Sequence, residues 1–479
     1  MEKTWAIAGA GAAGGTGADL HLDLSGPGGV RACLTRALRE AVRTGRLAPD
    51  TRLPSSRSLA GDLGLARNTV ADAYGELVAE GWLTARQGSG TRVARRAAPR
   101  APERRTTPPR TARRPAYDLR PGTADVAAFP RAAWLAAARR ALAAAPNDAF
   151  GFPDERGRPE LRTALADYLA RARGVRADPE RIVVCAGFTQ GISLLSRVLR
   201  RRGTREVGVE EYGLWFHREA LDRNGVRCAP LGVDGHGADV AALERNKTVR
   251  AVLLTPAHQF PTGAPLHPER RAAVVDWATR TGGLILEDDY DGEFRYDRQP
   301  VGCLQGLSPE RVAYFGTASK ALAPGLRLSW MVLPEHLVGD VLALKRAGEW
   351  SSGVLDQLTL AEFLNSGGYD RHVRAMRLRY RRRRDQLVAA LAEQAPHIRV
   401  TGIAAGLHAV LELPPGTERP TLQAAGWQGL AVEGLSRFRH DAAAAGAARE
   451  GLIVGYGTPP DHAFAGAVAA LLRVLPPEG

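Results

Sequence analysis

The chain has 479 residues, of which 44% are hydrophobic and 24% are charged. These values are typical of folded globular proteins and exclude a peptide hormone, a fibrous repeat and a wholly disordered chain. The sequence contains no run of about 18 apolar residues and begins without the apolar block of a secretory signal, so we expect a soluble cytoplasmic protein. The four cysteines are widely spaced, which predicts reduced thiols and no metal site.

The formal net charge of +14 is concentrated near the N-terminus. Residues 92 to 114 contain nine arginines and one glutamate, a charge of +8, and residues 22 to 91 add a further +2. The rest of the chain is nearly balanced. A strongly basic N-terminal part, followed by a chain of nearly zero net charge, indicates that the N-terminal part binds an anionic polymer.

Three helices and a hairpin are predicted in the N-terminal part. Apolar residues recur at helical spacing from Val30 to Val42, and a second helix follows the sequence LPSS, where Ser55 or Ser56 can cap it. A third helix begins near Ala66, and WLTARQGSGTRV then predicts two short strands around a glycine-containing turn. This order of elements is that of a winged helix-turn-helix domain.

The predicted winged domain spans residues 22–94 and is followed by a linker, residues 95–116, that combines proline, arginine and small residues. The linker arginines are interpreted either as a solubilising spacer or as non-specific phosphate contacts that strengthen binding at low salt. In residues 117–479, apolar strand-like runs alternate with helical segments, which predicts an α/β domain with a mainly parallel sheet. From about residue 369 we expect a smaller subdomain.

The third helix has the side chains of a DNA reader. Arg67, Asn68 and Thr69 fall in its first turn, the end that enters a major groove, and can contact guanine, adenine and thymine. We expect phosphate contacts from the start of the second helix and backbone or minor-groove contacts from the wing. The residues concerned are Ser55, Ser56 and Arg57 in the helix and Arg86, Gln87, Gly88 and Thr91 in the wing. Taken alone, Arg57 or Arg67 would be interpreted as a solvated charge at a helix end, and it is the full pattern that favours DNA contact.

The segment from RLPSS to GTRV resembles the DNA-binding domain of the GntR superfamily of bacterial regulators. The resemblance covers nearly the whole predicted winged domain. It implies that double-stranded DNA is a partner of this part of the chain.

Lys320 stands out because the chain has four lysines among its 65 basic residues. It lies in YFGTASKALAPGLRLSW, directly after a strand-like run and seven residues before Arg327. An amine beside small hydroxyl residues and an arginine is what a site for pyridoxal 5'-phosphate (PLP) requires. This segment alone does not separate such a site from a surface lysine on a loop.

Two further segments favour the cofactor site. LILEDDYDGEFRY places acids and a tyrosine at the carboxyl end of an apolar strand, where open α/β sheets bind ligands. VVCAGFTQGISLL runs from a strand through Gly187 into a predicted helix, whose first amides, near Phe188 and Thr189, can bind a phosphate.

Residues 117 to about 475 resemble the fold type I aminotransferases. Behind a winged helix, four segments are similar to the MocR subfamily of GntR regulators: FGFPDERGRPELRTALADYLARARGV, LTPAHQFPTG, EDDYDGEFRY and GTASKALAPGLRL. The resemblance implies an α/β large domain of the fold type I PLP-dependent aminotransferase type with an N-terminal winged helix-turn-helix domain. It also implies PLP as cofactor, a homodimer, and an operator with repeated half-sites.

By position, the resemblance implies that Lys320 forms the covalent link to PLP, that Asp288 holds the pyridine nitrogen and that Tyr290 holds the ring phenolate. It also implies phosphate ligands and pocket residues, namely Ser319, Arg327, Thr317 and Thr189 for the phosphate and His258 with Gln259 for the pocket. Strand alternation alone does not select Asp288, because Glu287 and Asp289 share the opposite face.

Two departures from aminotransferases bear on function. Phe260-Pro-Thr-Gly stands where those enzymes have Asn-Pro-Thr-Gly, and Ile453 stands where we expect the arginine that holds a substrate carboxylate. Arg437 or Arg439 either replaces that arginine or belongs to a surface loop.

We therefore expect a transcription regulator that senses PLP or an amino-acid-like effector, and among such regulators the group that controls vitamin B6 synthesis. One alternative is a working aminotransferase with an accessory DNA-binding module. Another is a pure DNA binder whose large domain serves dimerisation and has lost the cofactor.

Overall fold

The computed structural model describes residues 4–5, 22–86, 90–95, 115–152, 154–296, 302–348, 353–443 and 449–478. The chain divides into two compact units, Met1–Ala112 and Arg113–Gly479. Most of the predicted linker lies outside the described residues, as do Gln87 and Gly88 of the predicted wing. Within the described ranges, no helix combines the length and apolarity needed to cross a membrane.

The first unit has the three helices and the hairpin predicted from the sequence. Ser55 caps the second helix by accepting a hydrogen bond from the Ser58 backbone N–H at 3.1 Å, and Gly64 ends it in the left-handed conformation. The helices pack their apolar faces into one core. The elements are β1 (Thr4–Trp5), β2 (Leu22–Asp23), α1 (Val30–Arg43), α2 (Ser56–Leu63), α3 (Arg67–Ala79), β3 (Leu83–Arg86) and β4 (Gly90–Val93).

The second unit is built on a seven-stranded sheet with the order β6-β14-β13-β12-β11-β7-β8, in which only β14 runs antiparallel to its neighbours. The five strand-like runs predicted from the sequence are all in it, whereas β8 and β14 were not predicted. The strands are β6 (Ile182–Cys185), β7 (Glu206–Glu210), β8 (Arg227–Leu231), β11 (Ala251–Leu254), β12 (Leu284–Asp288), β13 (Val312–Thr317) and β14 (Ser329–Val332).

Both faces of this sheet are buried, which explains why its strands are continuous apolar runs. In β12, Leu286 packs into one apolar cluster and Ile285 into another on the opposite side. The helices of the second unit are α4 (Arg131–Ala144), α5 (Pro159–Arg173), α6 (Phe188–Arg201), α7 (Trp215–Arg223), α8 (Ala242–Arg245), α9 (Pro268–Thr281), α10 (Glu335–Arg346), α11 (Val354–Asn365), α12 (Gly368–Gln394), α13 (Glu418–Trp427) and α14 (Asp461–Leu472).

A smaller antiparallel sheet follows helix α12, which begins one residue before the predicted start of the subdomain. Its strand order is β15-β16-β19-β18, and two further pairs of short strands, β9 with β10 and β5 with β17, complete the unit. The strands are β5 (Tyr117–Asp118), β9 (Val233–Asp234), β10 (Gly237–Ala238), β15 (Arg399–Thr401), β16 (His408–Glu412), β17 (Leu430–Ala431), β18 (Glu433–Gly434) and β19 (Gly451–Gly455).

A buried ion pair joins α5 to the end of β12. Arg173 donates to both carboxylate oxygens of Asp289, at 2.6 and 2.8 Å, and the Tyr314 hydroxyl donates to the same carboxylate at 2.7 Å. The two charged side chains are only 7% and 2% exposed. The pair therefore anchors the strand end that carries Asp288.

Asp289→Asn would leave the Arg173 guanidinium buried without its counter-charge. We expect the variant to lose about 3–5 kcal/mol of unfolding free energy in urea titrations followed by tryptophan fluorescence. Glu219→Gln breaks an exposed pair with Arg223 and should lose less than about 0.5 kcal/mol. Equal losses in the two variants would contradict the anchoring role.

Candidate functional site

A cavity of about 650 Å³ opens at the carboxyl ends of β7, β11, β12 and β13. This is the edge where an open parallel sheet binds ligands. Nine of the ten residues predicted to bind the cofactor line the cavity: Lys320, Asp288, Tyr290, Ser319, Arg327, Thr317, Gly187, Phe188 and Thr189. The tenth, His258, lies behind this lining.

Lys320 presents its amine to this cavity. The amine donates a hydrogen bond to the backbone carbonyl of Gly122, which also lines the cavity. Burial lowers the pKa of Lys320, and the nearby carboxyl groups of Asp288 and Asp291 oppose that shift. The burial favours the uncharged, nucleophilic amine.

Asp288 is the one of three consecutive acids that lines the cavity. Glu287 accepts hydrogen bonds from the backbone N–H groups of Leu304 and Gln305, at 2.7 and 2.9 Å, and Asp289 pairs with Arg173. Burial raises the pKa of Asp288 well above its usual range, and the Lys320 charge counteracts the rise. A buried carboxyl of this kind suits a ligand that brings its own protonated nitrogen.

Tyr290 lines the cavity two residues after Asp288, where the strand has ended in a bend. Its hydroxyl oxygen is 3.1 Å from Nδ1 of His258. His258 was predicted to contact the cofactor, but it is buried behind Tyr290 and Nδ1 also lies 2.8 Å from Oδ2 of Asp291. His258 is therefore outside the cavity lining, and its contact with the cofactor stays a prediction.

The predicted phosphate ligands come together at the start of α6. Gly187 has φ +117, and a Cβ built there would lie 2.8 Å from Cζ of Arg327, so the guanidinium packs directly on the glycine. Thr317 hydrogen-bonds to the Ser319 hydroxyl at 2.9 Å. With the first amides of a 14-residue helix, these groups form a cradle of donors for an anion.

One wall of the cavity is aromatic and was not predicted. Tyr212 follows the end of β7, and Trp215 and Phe216 are the first residues of α7. The ring of His217 lies against that of Phe188, with ring centroids 4.2 Å apart. Burial lowers the pKa of His217 to about 3, so the ring is neutral. The sequence carried a signal for this wall, because EYGLWFH directly follows a strand at the ligand-binding edge.

Glu210 is a further acid in the cavity wall that the sequence did not single out. It accepts hydrogen bonds from Thr255 Oγ1 at 2.5 Å and from Gln259 Nε2 at 3.2 Å. Burial raises the pKa of Glu210 to about 7, although these hydrogen bonds favour the ionised form. Gln259, which was predicted to line the pocket, therefore acts on the cavity wall through its hydrogen bond to Glu210 and does not line the cavity itself.

Ile453 takes no direct part in the cavity wall. It is fully buried in β19 and packs in an apolar cluster with Tyr212, Phe260 and Phe438, three residues that do line the cavity. The position predicted for a carboxylate-binding arginine is therefore sealed behind aromatic rings.

The two arginines considered as replacements differ in position. Arg437 lines the cavity and pairs with Glu433, also a lining residue, at 2.8 Å. Arg439 pairs instead with Glu211 at 2.8 Å and is outside the lining. Only Arg437 is placed to meet a ligand, and it already has a carboxylate partner.

The end of the first unit that is predicted to contact DNA is open to solvent. Arg67 and Asn68 are exposed at the start of α3, and Thr69 is half-buried beside them. Arg57 in α2 and Arg86 in β3 are also exposed, and Thr91 on β4 is half-buried. Among the described residues, no acid pairs with Arg57 or Arg67, so both guanidinium groups are available to phosphates or bases.

Two protein families match the chain. Residues 33–93 match the bacterial regulatory proteins of the gntR family, and residues 122–440 match aminotransferase class I and II. The two matches fall in the two compact units in the predicted order.

Curated relatives that align over most of the chain include bacterial regulators. The chain is 33% identical to the HTH-type pyridoxine biosynthesis transcriptional regulator PdxR of Corynebacterium glutamicum, over 92% of this chain and 95% of the relative. It is also 33% identical to the probable rhizopine catabolism regulatory protein MocR of Rhizobium meliloti, over 88% and 89%, and 32% identical to TauR of Rhodobacter capsulatus, over 78% and 82%.

Solved structures match the second unit. An archaeal alanine:glyoxylate aminotransferase is 25% identical with a TM-score of 0.68, over 75% of this chain and 90% of that one. A Thermus thermophilus aspartate aminotransferase double mutant is 23% identical with a TM-score of 0.64, over 75% and 92%. The second unit therefore has the aminotransferase fold.

Gly187→Ala tests the cradle, because a methyl group at this position collides with Arg327. We expect PLP affinity, measured by fluorescence titration, to fall about tenfold or more, since losing one hydrogen bond to a charged group costs about 1.5–3 kcal/mol. Gly325→Ala, where a Cβ meets no atom within 4 Å, should bind normally. If Gly187→Ala bound PLP with unchanged affinity, the assignment of Arg327 as a phosphate ligand would be wrong.

Proposed function

The chain belongs to the MocR-type regulators of the GntR family, and from this premise we propose that it senses PLP and controls genes of vitamin B6 synthesis. Two features together support this function. The cavity has the residues that PLP requires, and the position where an aminotransferase would have its carboxylate-binding arginine is Ile453, which is buried behind the cavity wall. The relative named for pyridoxine biosynthesis, aligned over 92% of the chain, supports the target genes.

The residues present fit PLP on chemical grounds. The cofactor supplies an aldehyde that condenses with a lysine amine and a protonated ring that draws electrons. Lys320 offers the amine, Asp288 a buried carboxyl for the ring nitrogen and Tyr290 a hydroxyl for the phenolate oxygen. The donors around Gly187, together with Arg327, would hold the phosphate.

Sensing requires a difference in affinity rather than a reaction. A ligand changes DNA binding only as far as it binds one arrangement of the regulator more tightly than another. The cofactor alone can provide that difference, and no substrate carboxylate has to be held. We also propose that the protein is a homodimer that binds repeated half-sites, so sedimentation as a monomer only would contradict this part.

Footprinting of DNA upstream of vitamin B6 genes, with and without PLP, tests the proposed function directly. We expect a protected site whose affinity changes with PLP. A DNA affinity that is unchanged by PLP but changes when an amino acid is added would overturn the proposal. The aminotransferase alternative predicts that added amino acids change the visible spectrum of the bound cofactor and release a keto acid.

Lys320→Arg should abolish covalent attachment of the cofactor. After incubation with PLP and reduction with borohydride, peptide mass mapping should find the adduct on Lys320 in the unaltered protein and none in the variant. Lys247→Arg, an exposed lysine elsewhere, should keep the adduct. An unaltered protein without adduct would favour a DNA binder that has lost the cofactor.

Arg67→Ala should weaken specific DNA binding by about 1–3 kcal/mol and relax base preference at the position that it reads. Mobility-shift titrations on the operator and on point-substituted operators measure both effects. Arg31→Ala removes an exposed charge from α1 of the same unit and should leave base preference unchanged. Unchanged preference in Arg67→Ala would remove this residue from base reading.

A further inference from the structure

Helix α12 carries the most basic stretch of the second unit. Residues 371–385 contain eight arginines and one aspartate, a charge of +7, whereas residues 115–479 as a whole contain 46 basic and 41 acidic residues, a charge of +5. Apart from this stretch, the second unit is therefore slightly acidic. We propose that the exposed arginines of α12 contact the phosphate backbone of DNA, so that the second unit binds DNA in addition to the first.

The helix buries one face and exposes the opposite one. Val373, Met376 and Tyr380 pack into the core of the second unit. Because an α-helix turns by about 100° per residue, the exposed arginines fall within an arc of about 100° and extend over about 16 Å. They form one continuous cationic surface, here called the α12 stripe, which consists of Arg371, Arg374, Arg381 and Arg382.

The acids around α12 leave the stripe charged. The nearest carboxylates bind other arginines: Asp125 and Asp461 pair with Arg379 and Arg383, and Asp370 pairs with Arg171 of α5. Within the stripe, Arg381 has a weak pair with Asp385 at 3.9 Å. In the part of the chain that the structure describes, no carboxylate lies within ion-pair distance of the other three stripe arginines.

The helix itself gains nothing from this concentration of like charge. Two cations three or four residues apart on a helix, such as Arg371 and Arg374, repel each other and destabilise it. A surface that served solubility alone would mix both signs of charge. An anionic partner outside the chain would relieve the repulsion.

DNA is the polyanion that the rest of the chain brings to this surface. Residues 33–93 match the gntR family, yet residues 22–91 have a net charge of only +2. Affinity for DNA depends strongly on the number of phosphates that protein cations neutralise. Because both units belong to one chain, DNA held by the first unit is present at a high effective concentration for the second.

The test is the salt dependence of binding to a long labelled DNA duplex of arbitrary sequence, measured by fluorescence anisotropy. Each lost phosphate contact lowers the slope of log affinity against log salt by about 0.9. The triple variant Arg371→Gln, Arg374→Gln and Arg382→Gln should therefore lower the slope by about 3 per chain.

A matched control removes the same charge elsewhere. Arg223→Gln, Arg245→Gln and Arg280→Gln replace three exposed arginines, each of which already pairs with a carboxylate. This variant should change the slope by less than about 0.5. If the two glutamine variants had equal slopes, the proposal would be overturned.

Replacement by lysine separates charge from structure. Arg371→Lys, Arg374→Lys and Arg382→Lys keep a cation at each position, and lysine binds a phosphate as a point charge. We expect the slope of this variant to stay close to that of the unaltered protein. A lysine variant with the low slope of the glutamine variant would show that charge is not what the stripe contributes, and the proposal would fall.

Chemical modification tests the unaltered protein and does not depend on the folding of any variant. Phenylglyoxal reacts with accessible arginines, and peptide mass mapping locates the adducts. At low salt, DNA should protect Arg371, Arg374 and Arg382 and leave Arg223 reactive. Equal reactivity of the stripe with and without DNA would contradict the proposal.

Two further outcomes separate this inference from its alternatives. If a second copy of the chain covered the stripe, the stripe glutamine variant would change the sedimentation of the protein while its slope matched that of the control, which would overturn the proposal. The inference rests on DNA binding by the regulator, but neither measurement uses PLP or an operator. A DNA affinity that is unchanged by PLP would contradict the proposed function alone, whereas equal slopes would overturn the stripe alone.

Discussion

The parallel pairing of β7, β11, β12 and β13 is the constraint on which the site depends. Parallel strands end at one edge of a sheet, so Glu210, Asp288 and Thr317, which are far apart in the sequence, meet around one cavity. The strand register then decides which acid arrives there. It turns Glu287 and Asp289 toward backbone amides and an arginine and leaves Asp288 facing the ligand space. A slip of one residue would exchange these roles.

Much of the first unit could be predicted from its sequence because its signals are local. Apolar spacing, the Ser55 cap and the glycine at the end of α2 act within a few residues, and the structure has each of them. The strand-like runs of the second unit were equally visible as apolar segments. Lys320 and Arg327 were recognisable because one short segment carries both the amine and the cation of the site.

The parts that sequence reasoning missed depend on contacts between distant segments. His258 lies behind Tyr290 because Asp291, 33 residues later, holds its ring, and Gly406 closes the space from a third segment. Spacing could not rank Arg437 above Arg439 either. Their difference arises from Glu433 and Glu211, which lie in separate elements and draw the two guanidinium groups apart. Strand β14 is a run of only four residues, and β8 carries Arg227 and Pro230, so neither has the long apolar pattern of the five predicted strands.

The apolar cluster around Ile453 restricts which side chains this position can accept. An arginine at this position today would carry an unpaired charge into packed rings, where removing it from water costs several kcal/mol. A carboxylate-binding arginine at this position would therefore require concerted changes at Tyr212, Phe260 and Phe438 as well.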